Sequence, residues 1–410
     1  MRESSPNHFV GLDIGTSTVR CVVGMLDPNG GNALSIIGHG SAPNVGMRKG
    51  VVVHIDDTVD AITKALTEAE RISGVSINRA TVNINGTHIA GVDSKGVIAI
   101  SAANSEITPE DRLRVEEAAT VVNFPPNREI VQFFAKNYSL DGQRSLKDPV
   151  GMRGVRLEVD AHIVTAATPN IRSLDMALEK AGLVANHHTV SGLAAAEAVL
   201  TRQQKEAGTL LLDIGSGTTN LIVVEDGEIQ HVAVIGIGGM HITNDLAIGL
   251  KTDLDIAEKV KIEYAQLGTP KKATAVVAMG TAHHTFSMDD VVMITEARAE
   301  ELFEFIDKEL RRIRRFRKLP GGVVLTGGTA KLPGIAAFAK EKLQLAARVG
   351  RLQPISGLVE SVEDVSYAAA VGLMLLDMIL LPEQHTAARS QPVQQAMGMV
   401  DALFRRLRSR

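Results

Sequence analysis

At 410 residues, with 45% apolar and 22% charged residues, the chain has a globular composition and enough length for two or more domains. A net charge of −4 does not favour nucleic-acid binding, and the single cysteine, Cys21, excludes an intramolecular disulfide and fits a reducing cytosol. The first residues lack the apolar segment of a signal peptide, and no apolar run reaches the roughly 18 residues of a transmembrane helix.

The first predicted element is a β-hairpin over residues 9–26. An apolar strand ends in Asp13, a turn of glycine and small hydroxyl residues follows, and a second apolar strand begins at Val19. Because the turn has no bulky side chains, its backbone N–H groups can approach a phosphate closely. The aspartate can hold a hydrated Mg²⁺ ion, which proteins bind through one or two carboxylates plus water. Cys21 lies in the second strand, where a buried structural thiol is favoured over a reactive one.

The next 180 residues or so alternate between strands and helices. Further strands of the same sheet as the hairpin are predicted at residues 33–41 and 50–54, and other strands at residues 80–85, 97–101, 128–134 and 157–164. Helices are predicted at residues 56–72, 109–122, 170–181 and 193–202. We expect Asp56 and Asp57 to cap the first of these helices, and Thr108 to cap the second ahead of Pro109. The elements after Gly86 indicate a small α+β domain inserted into the first α/β domain.

The opening pattern recurs 200 positions later, where an apolar strand ends in Asp213 and a glycine-rich turn follows. Strands are then predicted at residues 221–224, 273–279, 290–294 and 322–325, and helices at 243–250, 256–267, 296–316, from 335 onward, and at 367–381. A third glycine-rich loop, Gly327-Gly328, follows the strand at 322–325. The repeat predicts two duplicated α/β domains with a nucleotide between them, and the absence of Gly-x-x-x-x-Gly-Lys excludes a P-loop.

Together the three loops resemble the nucleotide site of the actin/Hsp70/sugar-kinase superfamily, which implies that ATP and Mg²⁺ bind here. The resemblance implies that two turns bind the phosphates. The first consists of Gly15, Thr16 and Ser17, and the second of Gly215, Ser216, Gly217 and Thr218. It implies that Asp13 and Asp213 order Mg²⁺ and its waters. It also implies that Gly327 and Gly328 let the backbone pass close to the adenosine.

Glu258 and Lys261 lie three positions apart on a predicted helix and therefore on one face. Spacing alone favours a solvated ion pair. In the superfamily, however, a matching Ala-Glu-x-x-Lys segment flanks the adenine and ribose, and here it reads Ala257-Glu258-Lys259-Val260-Lys261. The resemblance therefore makes this pair a candidate adenosine contact.

Within the superfamily the chain resembles the FtsA family of actin-like bacterial division proteins from about residue 9 to 382. The stretches that carry the resemblance are 106–111, 141–143, 148–152, 238–247 and 326–334. The inserted unit is the most specific of these features, because actin and its rod-shape relative carry a different subdomain elsewhere. The resemblance implies an actin-like ATPase fold, ATP binding and self-association into filaments. It also implies attachment of FtsZ to the cytoplasmic face of the membrane at the division site, and recruitment of later division proteins by the insert.

The resemblance also implies a division of the chain into subdomains. It implies subdomain 1A over residues 1–85, 166–205 and 366–382, the inserted subdomain 1C over 86–165, subdomain 2A over 206–237 and 295–365, and subdomain 2B over 238–294. A flexible linker over 383–392 and an amphipathic membrane-targeting helix over 393–410 follow.

Hydrolysis of ATP is expected to be weak. Superfamily members that hydrolyse well place an acid or Gln near the γ-phosphate to orient the attacking water. In the rod-shape relative this residue is a Glu, and Ser191 falls at the corresponding position here. Because Ser is a poor base, we expect ATP to act mainly as a structural ligand for polymerisation.

The C-terminal segment has the pattern of a helix that lies in a membrane interface. Its apolar residues recur at helical spacing, at Met397, Val400, Leu403, Phe404 and Leu407. Arg405 and Arg406 begin a basic end that can contact an anionic surface. The alternative is a helix docked on its own protein or on a partner, and the polar linker and the family resemblance favour the membrane.

A basic run over residues 311–318 is interpreted as a solvated helix end, because cations suit a helix C-terminus and only Phe316 could serve as an aromatic platform for a nucleic acid. In the family, the C-terminal peptide of FtsZ docks near the start of this helix. Arg298 is therefore a candidate for binding that acidic peptide.

Three other classes of protein remain open from the sequence. A sugar or acid kinase of the same fold needs a catalytic Asp and a polar substrate pocket, for which no clear candidate exists, and has no need of a basic tail. An Hsp70-type chaperone needs a substrate domain, and only 28 residues follow Pro382. A pilus-assembly relative shares the actin-like fold, but the Asp-Pro-Val-Gly-Met segment and the amphipathic tail favour a division protein.

Overall fold

The computed structural model describes residues 8–26, 34–101, 105–121, 125–270 and 272–380. The strands in these ranges are β1 His8–Ile14, β2 Thr18–Leu26, β3 Leu34–Pro43, β4 Met47–Arg48, β5 Val51–Val52, β6 Arg79–Ile84, β7 Ala90–Ala99, β8 Arg128–Leu140, β9 Gln143–Leu146, β10 Arg156–Ala167, β11 Val184–Val190, β12 Thr209–Ile214, β13 Thr219–Glu225, β14 Glu228–Ile235, β15 Thr274–Met279, β16 Ala282–Ser287, β17 Gly322–Thr326, β18 Ala347–Val349 and β19 Ser356–Gly357. The helices are α1 Ile55–Ser73, α2 Pro109–Thr120, α3 Thr168–Lys180, α4 Ser191–Val199, α5 Arg202–Ala207, α6 Gly239–Gly249, α7 Leu254–Tyr264, α8 Met288–Arg312, α9 Ile335–Leu343 and α10 Ala368–Leu380.

Two of the sheets have the same topology. The first has the strand order β11-β6-β1-β2-β3-β19, and the second has the order β18-β17-β12-β13-β14 when read from the equivalent edge. Each contains an antiparallel meander, β1-β2-β3 or β12-β13-β14, with two strands added in parallel beside its first strand. The predicted duplication of an α/β domain is therefore confirmed. We call the first sheet with α1, α3, α4 and α10 the first lobe, and the second sheet with α5 to α9 the second lobe.

Both faces of each of these two sheets are apolar and must be covered by other elements, so apolar cores form layers on both sides of each sheet. Helices α4 and α10 lie between the two sheets and share one core with both of them. Helices α1 and α3 cover the outer face of the first sheet, and α6 to α9 cover the outer face of the second. The central helices are rich in alanine, which allows the close packing seen between α4 and α10.

The inserted unit is a separate sheet of order β7-β10-β8-β9 with α2 packed on one face around its own core. The chain leaves the first lobe after β6 and returns to it at α3. The predicted cap of α2 is confirmed. The Thr108 hydroxyl accepts from the Asp111 N–H at 3.2 Å, and the Asp111 carboxylate accepts from the Thr108 N–H at 3.0 Å.

The strand predicted at residues 290–294 is wrong, because these residues belong to α8. Their β-branched residues favour a strand locally. The buried positions Val291, Val292, Thr295 and Ala299 nevertheless follow the spacing of a helix whose first turn contains Asp289 and Asp290. Tertiary burial of this face against α6, α7 and the β15-β16 hairpin overrides the local preference. Helix α8 also runs through residue 294, where the boundary between subdomains 2B and 2A was expected.

Two expectations near α1 also differ from the structure. Residues 50–54 were expected to extend the first sheet, but β5 pairs only with β4 in a separate two-stranded sheet that turns at Gly50. Neither aspartate caps α1, because the N-cap is His54 and it forms no side-chain cap. Asp56 and Asp57 instead lie in the first turn, where negative charge suits the helix dipole.

Cys21 and the basic run agree with their sequence-based interpretations. Cys21 is fully buried, and burial raises the pKa of its thiol well above the usual value, as expected of a structural thiol. Arg311 and Arg312 at the end of α8, and Arg315 just after it, form ion pairs within the chain. Their partners are Asp307, Glu309 and Glu225 respectively.

The last described helix carries a buried carboxylate. Helix α10 corresponds to the apolar run at 367–381, and no helix in the described part of the chain is long and apolar enough to cross a bilayer. The Asp377 carboxylate accepts from the Val10 N–H at 3.0 Å, the Thr81 hydroxyl at 2.7 Å and the Asn186 amide at 2.9 Å. Burial raises its pKa, and these hydrogen bonds oppose the shift. Asp377 thus attaches the final helix to three strands of the first sheet.

We expect the substitution Asp377→Ala to lower the free energy of unfolding by about 2–4 kcal/mol, because it leaves buried donors without an acceptor. Asp175→Ala is the matched control, since Asp175 is a half-exposed carboxylate of the same lobe that pairs with His188. The control should change stability by less than about 1 kcal/mol. Chemical denaturation followed by circular dichroism measures both, and equal losses in the two variants would contradict the role assigned to Asp377.

Candidate functional site

Asp13 and Asp213 end the first strands of the two equivalent meanders and are both buried. The Asn83 amide donates to Asp13 at 2.7 Å, and the Asn220 amide donates to Asp213 at 3.2 Å. Burial raises the pKa of Asp13 to about 7, a shift that the charge of Arg20 opposes and the charge of Asp213 increases. Burial also raises the pKa of Asp213. The duplicated hairpins thus bring two carboxylates close enough to interact electrostatically.

The turns after the two aspartates have the same backbone geometry. In the first, the Gly15 N–H donates to the Thr18 carbonyl at 3.1 Å, and in the second the Gly215 N–H donates to the Thr218 carbonyl at 2.9 Å. Both hydrogen bonds close a tight hairpin, and the residues between them have small side chains, namely Thr16 and Ser17 in the first turn and Ser216 and Gly217 in the second. The sequence repeat is therefore a structural repeat as well.

The two turns face each other across the lobes. A Cβ atom on Gly217 would lie 2.8 Å from the Thr16 hydroxyl oxygen, which itself accepts from the Gly50 N–H at 3.0 Å. The Asn85 amide of the first lobe donates to the Thr218 hydroxyl of the second at 3.2 Å. Glycine at 217 is thus required for the approach of one turn to the other.

The carbonyl groups of both turns are held by their own lobes. The Gly215 and Ser216 carbonyls accept from the first N–H groups of α6 at 2.9 and 2.8 Å, and the Gly15 carbonyl accepts from the Asn44 amide at 2.9 Å. Because the C=O and N–H of a trans peptide point in opposite directions, the N–H groups of Thr16, Ser216 and Gly217 point away from these partners. Such oriented N–H groups can bind an anion.

Ser191 lies in the same site. It begins α4, is buried, and its hydroxyl donates to the Asp213 carboxylate at 3.3 Å. The side chain therefore orients Asp213, and it offers no carboxylate at the position expected of a water-orienting acid.

The third glycine-rich loop lies directly on the second turn. Gly327 has a φ of 85°, and a Cβ atom there would lie 2.7 Å from an Asp213 carboxylate oxygen. The backbone conformation and the lack of space therefore both exclude a side chain. The Thr329 hydroxyl donates to the Gly215 carbonyl at 2.9 Å. At Gly328, by contrast, an added Cβ atom would meet open space. The loop thus packs on the aspartate at Gly327 and leaves room beside Gly328.

Glu258 and Lys261 form an ion pair at 2.6 Å, and a third polar group from α6 joins them. The Thr243 hydroxyl donates to Glu258, and Lys261 donates to the Thr243 hydroxyl at 2.9 Å and to the Gly239 carbonyl at 3.3 Å. The pair is therefore bonded to the start of α6, next to the second turn, and has more hydrogen-bond partners than an isolated surface pair.

Arg298 does not present a free guanidinium in this conformation. It binds both carboxylate oxygens of Asp245, at 2.5 and 2.9 Å, and also pairs with Glu301. An acidic peptide would have to exchange for one of these carboxylates. The predicted membrane residues Met397, Val400, Leu403, Phe404, Arg405, Arg406 and Leu407 lie outside the described residues.

Sequence reasoning missed the polar residues that hold the site together. Asn83, Asn85 and Asn220 position the aspartates and the second turn, and Thr243 and Thr329 connect the adenosine candidates to it. One signal was available, because Asn83 and Asn85 interrupt an apolar strand and Asn220 opens another, where polar side chains need partners. Except for Asn220, whose partner Asp213 is seven residues away, their partners lie between 15 and 133 residues away, and each belongs to another element, so the sequence could not identify them.

The site fits a hydrated divalent cation next to an anion. Both carboxylates are bonded by neutral donors, and no ion pair to either of them occurs in the described ranges. Those ranges also contain no cluster of three or more His, Cys, Asp or Glu side chains arranged to hold a metal directly. Magnesium is commonly bound through few carboxylates plus water and substrate phosphate, which is the arrangement that this pair permits.

Comparison with known proteins identifies sequence relatives over most of the chain. A family model described as "Cell division protein FtsA" matches residues 210–372, and one described as "SHS2 domain inserted in FTSA" matches residues 86–165. Cell division protein FtsA of Pseudomonas aeruginosa is 37% identical over 90% of this chain and 88% of its own length. The FtsA of Bacillus subtilis is 38% identical over 89% of this chain and 82% of its own.

Solved structures share the fold at low sequence identity. A chain of the PilM-PilN type IV pilus biogenesis complex matches with a TM-score of 0.65 and 19% identity over 91% of this chain and 99% of its own. MreB5 of Spiroplasma citri bound to ADP matches with a TM-score of 0.55 and 12% identity over 94% and 100% of the two chains. The MamK double helical filament matches with a TM-score of 0.51 and 15% identity over 90% and 98%.

These matches have two consequences. The structural likenesses show an actin-like ATPase fold, which agrees with the duplicated lobes and the two facing turns. The insert that the sequence singled out corresponds to a domain described as inserted in FtsA. With more than a third of its residues identical to two relatives over most of their length, the chain belongs to the family of the cell division protein FtsA.

Proposed function

We propose that this protein is an ATP-binding, polymerising division protein that attaches FtsZ filaments to the inner face of the cytoplasmic membrane and recruits later division proteins. The observation that carries ATP binding is the meeting of two glycine-rich turns across the lobes, with a buried aspartate behind each. The similar MreB5 structure has ADP bound, which gives further support for a nucleotide in this fold.

In this proposal each part of the site has one role. The turn of Gly15, Thr16 and Ser17 and the turn of Gly215, Ser216, Gly217 and Thr218 hold the phosphates from opposite sides. The N–H groups of Thr16, Ser216 and Gly217 donate to them. Asp13 and Asp213 hold the waters of Mg²⁺, which supplies positive charge beside the phosphates. Glu258, Lys261 and the backbone at Gly327 and Gly328 contact the adenosine.

Asp213→Asn is expected to lower the affinity for Mg-ATP by about 10- to 100-fold, because a carboxylate that orders the metal waters is lost. Asp226→Asn is the control, since it makes the same change of charge in an exposed turn of the same lobe. Equilibrium titration with a fluorescent ATP analogue at saturating Mg²⁺ measures both. Equal affinity in Asp213→Asn and the wild type would count against the site.

We propose that ATP acts mainly as a structural ligand. Ser191 occupies the position of the water-orienting acid and is bonded to Asp213. Because Ser is a weak base, we expect ATP hydrolysis to be much slower than the ~1 s⁻¹ of a working enzyme. Single-turnover measurement on protein free of contaminating ATPase tests this, and a rate of ~1 s⁻¹ or faster would refute it.

The remaining parts of the proposal concern partners. Self-association into an actin-like filament is supported by the family and by the likeness to a filament-forming chain. The tail would bind the anionic membrane surface, and Arg298 would bind the acidic C-terminal peptide of FtsZ after releasing Asp245 or Glu301. The insert presents a separate surface for later division proteins. A pull-down with the FtsZ peptide, repeated with Arg298→Ala, distinguishes this protein from a pilus-assembly relative.

A further inference from the structure

The insert is covalently part of the first lobe but makes hydrogen bonds to the second. It leaves the first lobe after β6 and rejoins it at α3. Its strands β7, β8 and β10 nevertheless contact β14, which is the edge strand of the second sheet. In the first sheet the equivalent strand, β3, pairs with β19 at its outer side. The insert therefore lies against an edge strand that pairs with no further strand of its own sheet.

One side chain of the insert binds this exposed edge. The Val232 N–H of β14 donates to Nε2 of His162 at 3.0 Å, and both residues are buried. A Cβ atom on Gly91 of β7 would lie 2.5 Å from the Val232 carbonyl oxygen, so the two backbones approach closely beside this bond. An edge N–H that would otherwise need a strand partner is thus satisfied by an imidazole from another unit.

The bond requires one protonation state of His162. Its Nδ1 lies 2.7 Å from an Asp93 carboxylate oxygen and so carries the proton, which leaves Nε2 as an acceptor. Burial lowers the pKa of His162, which keeps the ring neutral. The charged and titratable groups around it are Asp93 and Lys136 of the insert, and His231, Glu309 and Arg312 of the second lobe.

A second contact lies beyond β9 of the insert. Lys147 donates to the Asp226 carbonyl at 2.6 Å and lies 3.5 Å from the Glu206 carboxylate. We call the contacts of His162 and Lys147 with the second lobe the brace.

On its other side the insert contacts the strand that leads into the nucleotide site. The Gln132 amide of β8 donates to the Thr189 hydroxyl at 2.6 Å and accepts from the Val190 N–H at 3.4 Å. The next residue, Ser191, donates to Asp213. The insert therefore makes hydrogen bonds to both lobes, and in the first lobe to the strand that leads into Ser191.

We infer that the insert is coupled to the angle between the lobes through the brace, so that a ligand on the insert and a nucleotide in the cleft alter each other's affinity. A rotation of the lobes cannot leave all of these hydrogen bonds intact, because the insert is attached to one lobe and bonded to the other. A nucleotide that favours one angle must then strengthen or weaken the brace, and by linkage the brace alters nucleotide affinity to the same extent. The inference rests on the proposed binding of ATP between the lobes.

The test uses the full-length chain and His162→Phe, which removes the acceptor and keeps a ring of similar size. We expect the Val232 amide to exchange with deuterium faster in this variant, and ATP affinity to change by at least about five-fold. In the wild type, saturating Mg-ATP should change the exchange rate at Val232. His162→Gln, whose side-chain oxygen can accept at the Nε2 position, should keep Val232 exchange and ATP affinity close to those of the wild type.

Tyr138→Phe is the control, because it removes a buried hydrogen bond to Glu116 within the insert. It should leave ATP affinity and Val232 exchange unchanged.

Spin labels at Arg144→Cys in the insert and Glu304→Cys in the second lobe, both exposed positions, measure the distance between the two units without nucleotide. The distance distribution should broaden in His162→Phe. An unchanged distribution would overturn the brace, and a wild type that binds ATP with no effect on Val232 would overturn the coupling. If the wild type did not bind ATP, the proposed function would be refuted. The distance between the spin labels would still test whether the brace holds the insert against the second lobe.

Discussion

Gly328→Leu is expected to lower ATP affinity by about 5- to 150-fold while leaving the free energy of unfolding unchanged. A Cβ atom at this position meets no protein atom within 4 Å, so the fold can accept a side chain. If adenosine passes beside Gly328, as we propose, the added side chain occupies its space, and overpacking of this kind costs about 1–3 kcal/mol. Titration with a fluorescent ATP analogue and chemical denaturation measure the two quantities.

The neighbouring glycine provides the control. Gly327→Ala introduces a side chain at positive φ, where its Cβ atom would lie 2.5 Å from the Ile214 carbonyl oxygen. This variant should lose stability as well as ATP affinity. If Gly328→Leu bound ATP as tightly as the wild type, the adenosine would have to lie elsewhere.

Leu407→Glu is expected to weaken membrane binding of the tail by about 100-fold. The substitution removes about 2 kcal/mol of apolar burial and adds about 1 kcal/mol of repulsion from anionic lipid. A filament carries many tails, and each further contact is intramolecular, so the loss per filament is larger still. Co-sedimentation with liposomes that contain phosphatidylglycerol measures the bound fraction with and without ATP.

Ser409→Glu is the matched control for the tail. It adds the same charge two positions further along, away from the apolar positions 397, 400, 403, 404 and 407. It should retain most of the binding. Undiminished pelleting of Leu407→Glu would show that the tail is not the anchor.

The duplicated lobes could be predicted from the sequence because their signal is local. Each Asp-x-Gly turn lies between two apolar strands, and the copy at Asp213 repeats the order seen at Asp13. The start of α2 was predicted for the same reason, since Thr108, Pro109 and Asp111 form a cap within four residues. The insert was predicted from the change in the pattern of elements after Gly86, and family resemblance indicated which domain it is. Its separate sheet and the match at residues 86–165 agree with both.

What the sequence could not predict depends on long-range contacts. The β-branched residues at 291 and 292 predict a strand, and only burial against α6, α7 and the β15-β16 hairpin makes them part of α8. The site's asparagines and threonines bind partners from other elements, and no local pattern indicates which ones. The occupied guanidinium of Arg298 is a similar case, because its main partner, Asp245, lies 53 positions away.

The central claim is that ATP between the lobes supports polymerisation on a membrane. Electron microscopy of the full-length protein on a lipid monolayer, with and without Mg-ATP, tests it most directly. We expect ordered filaments of the wild type with ATP, and few or none with Asp213→Asn under the same conditions. Filaments of equal number and order without nucleotide and in Asp213→Asn would contradict the account.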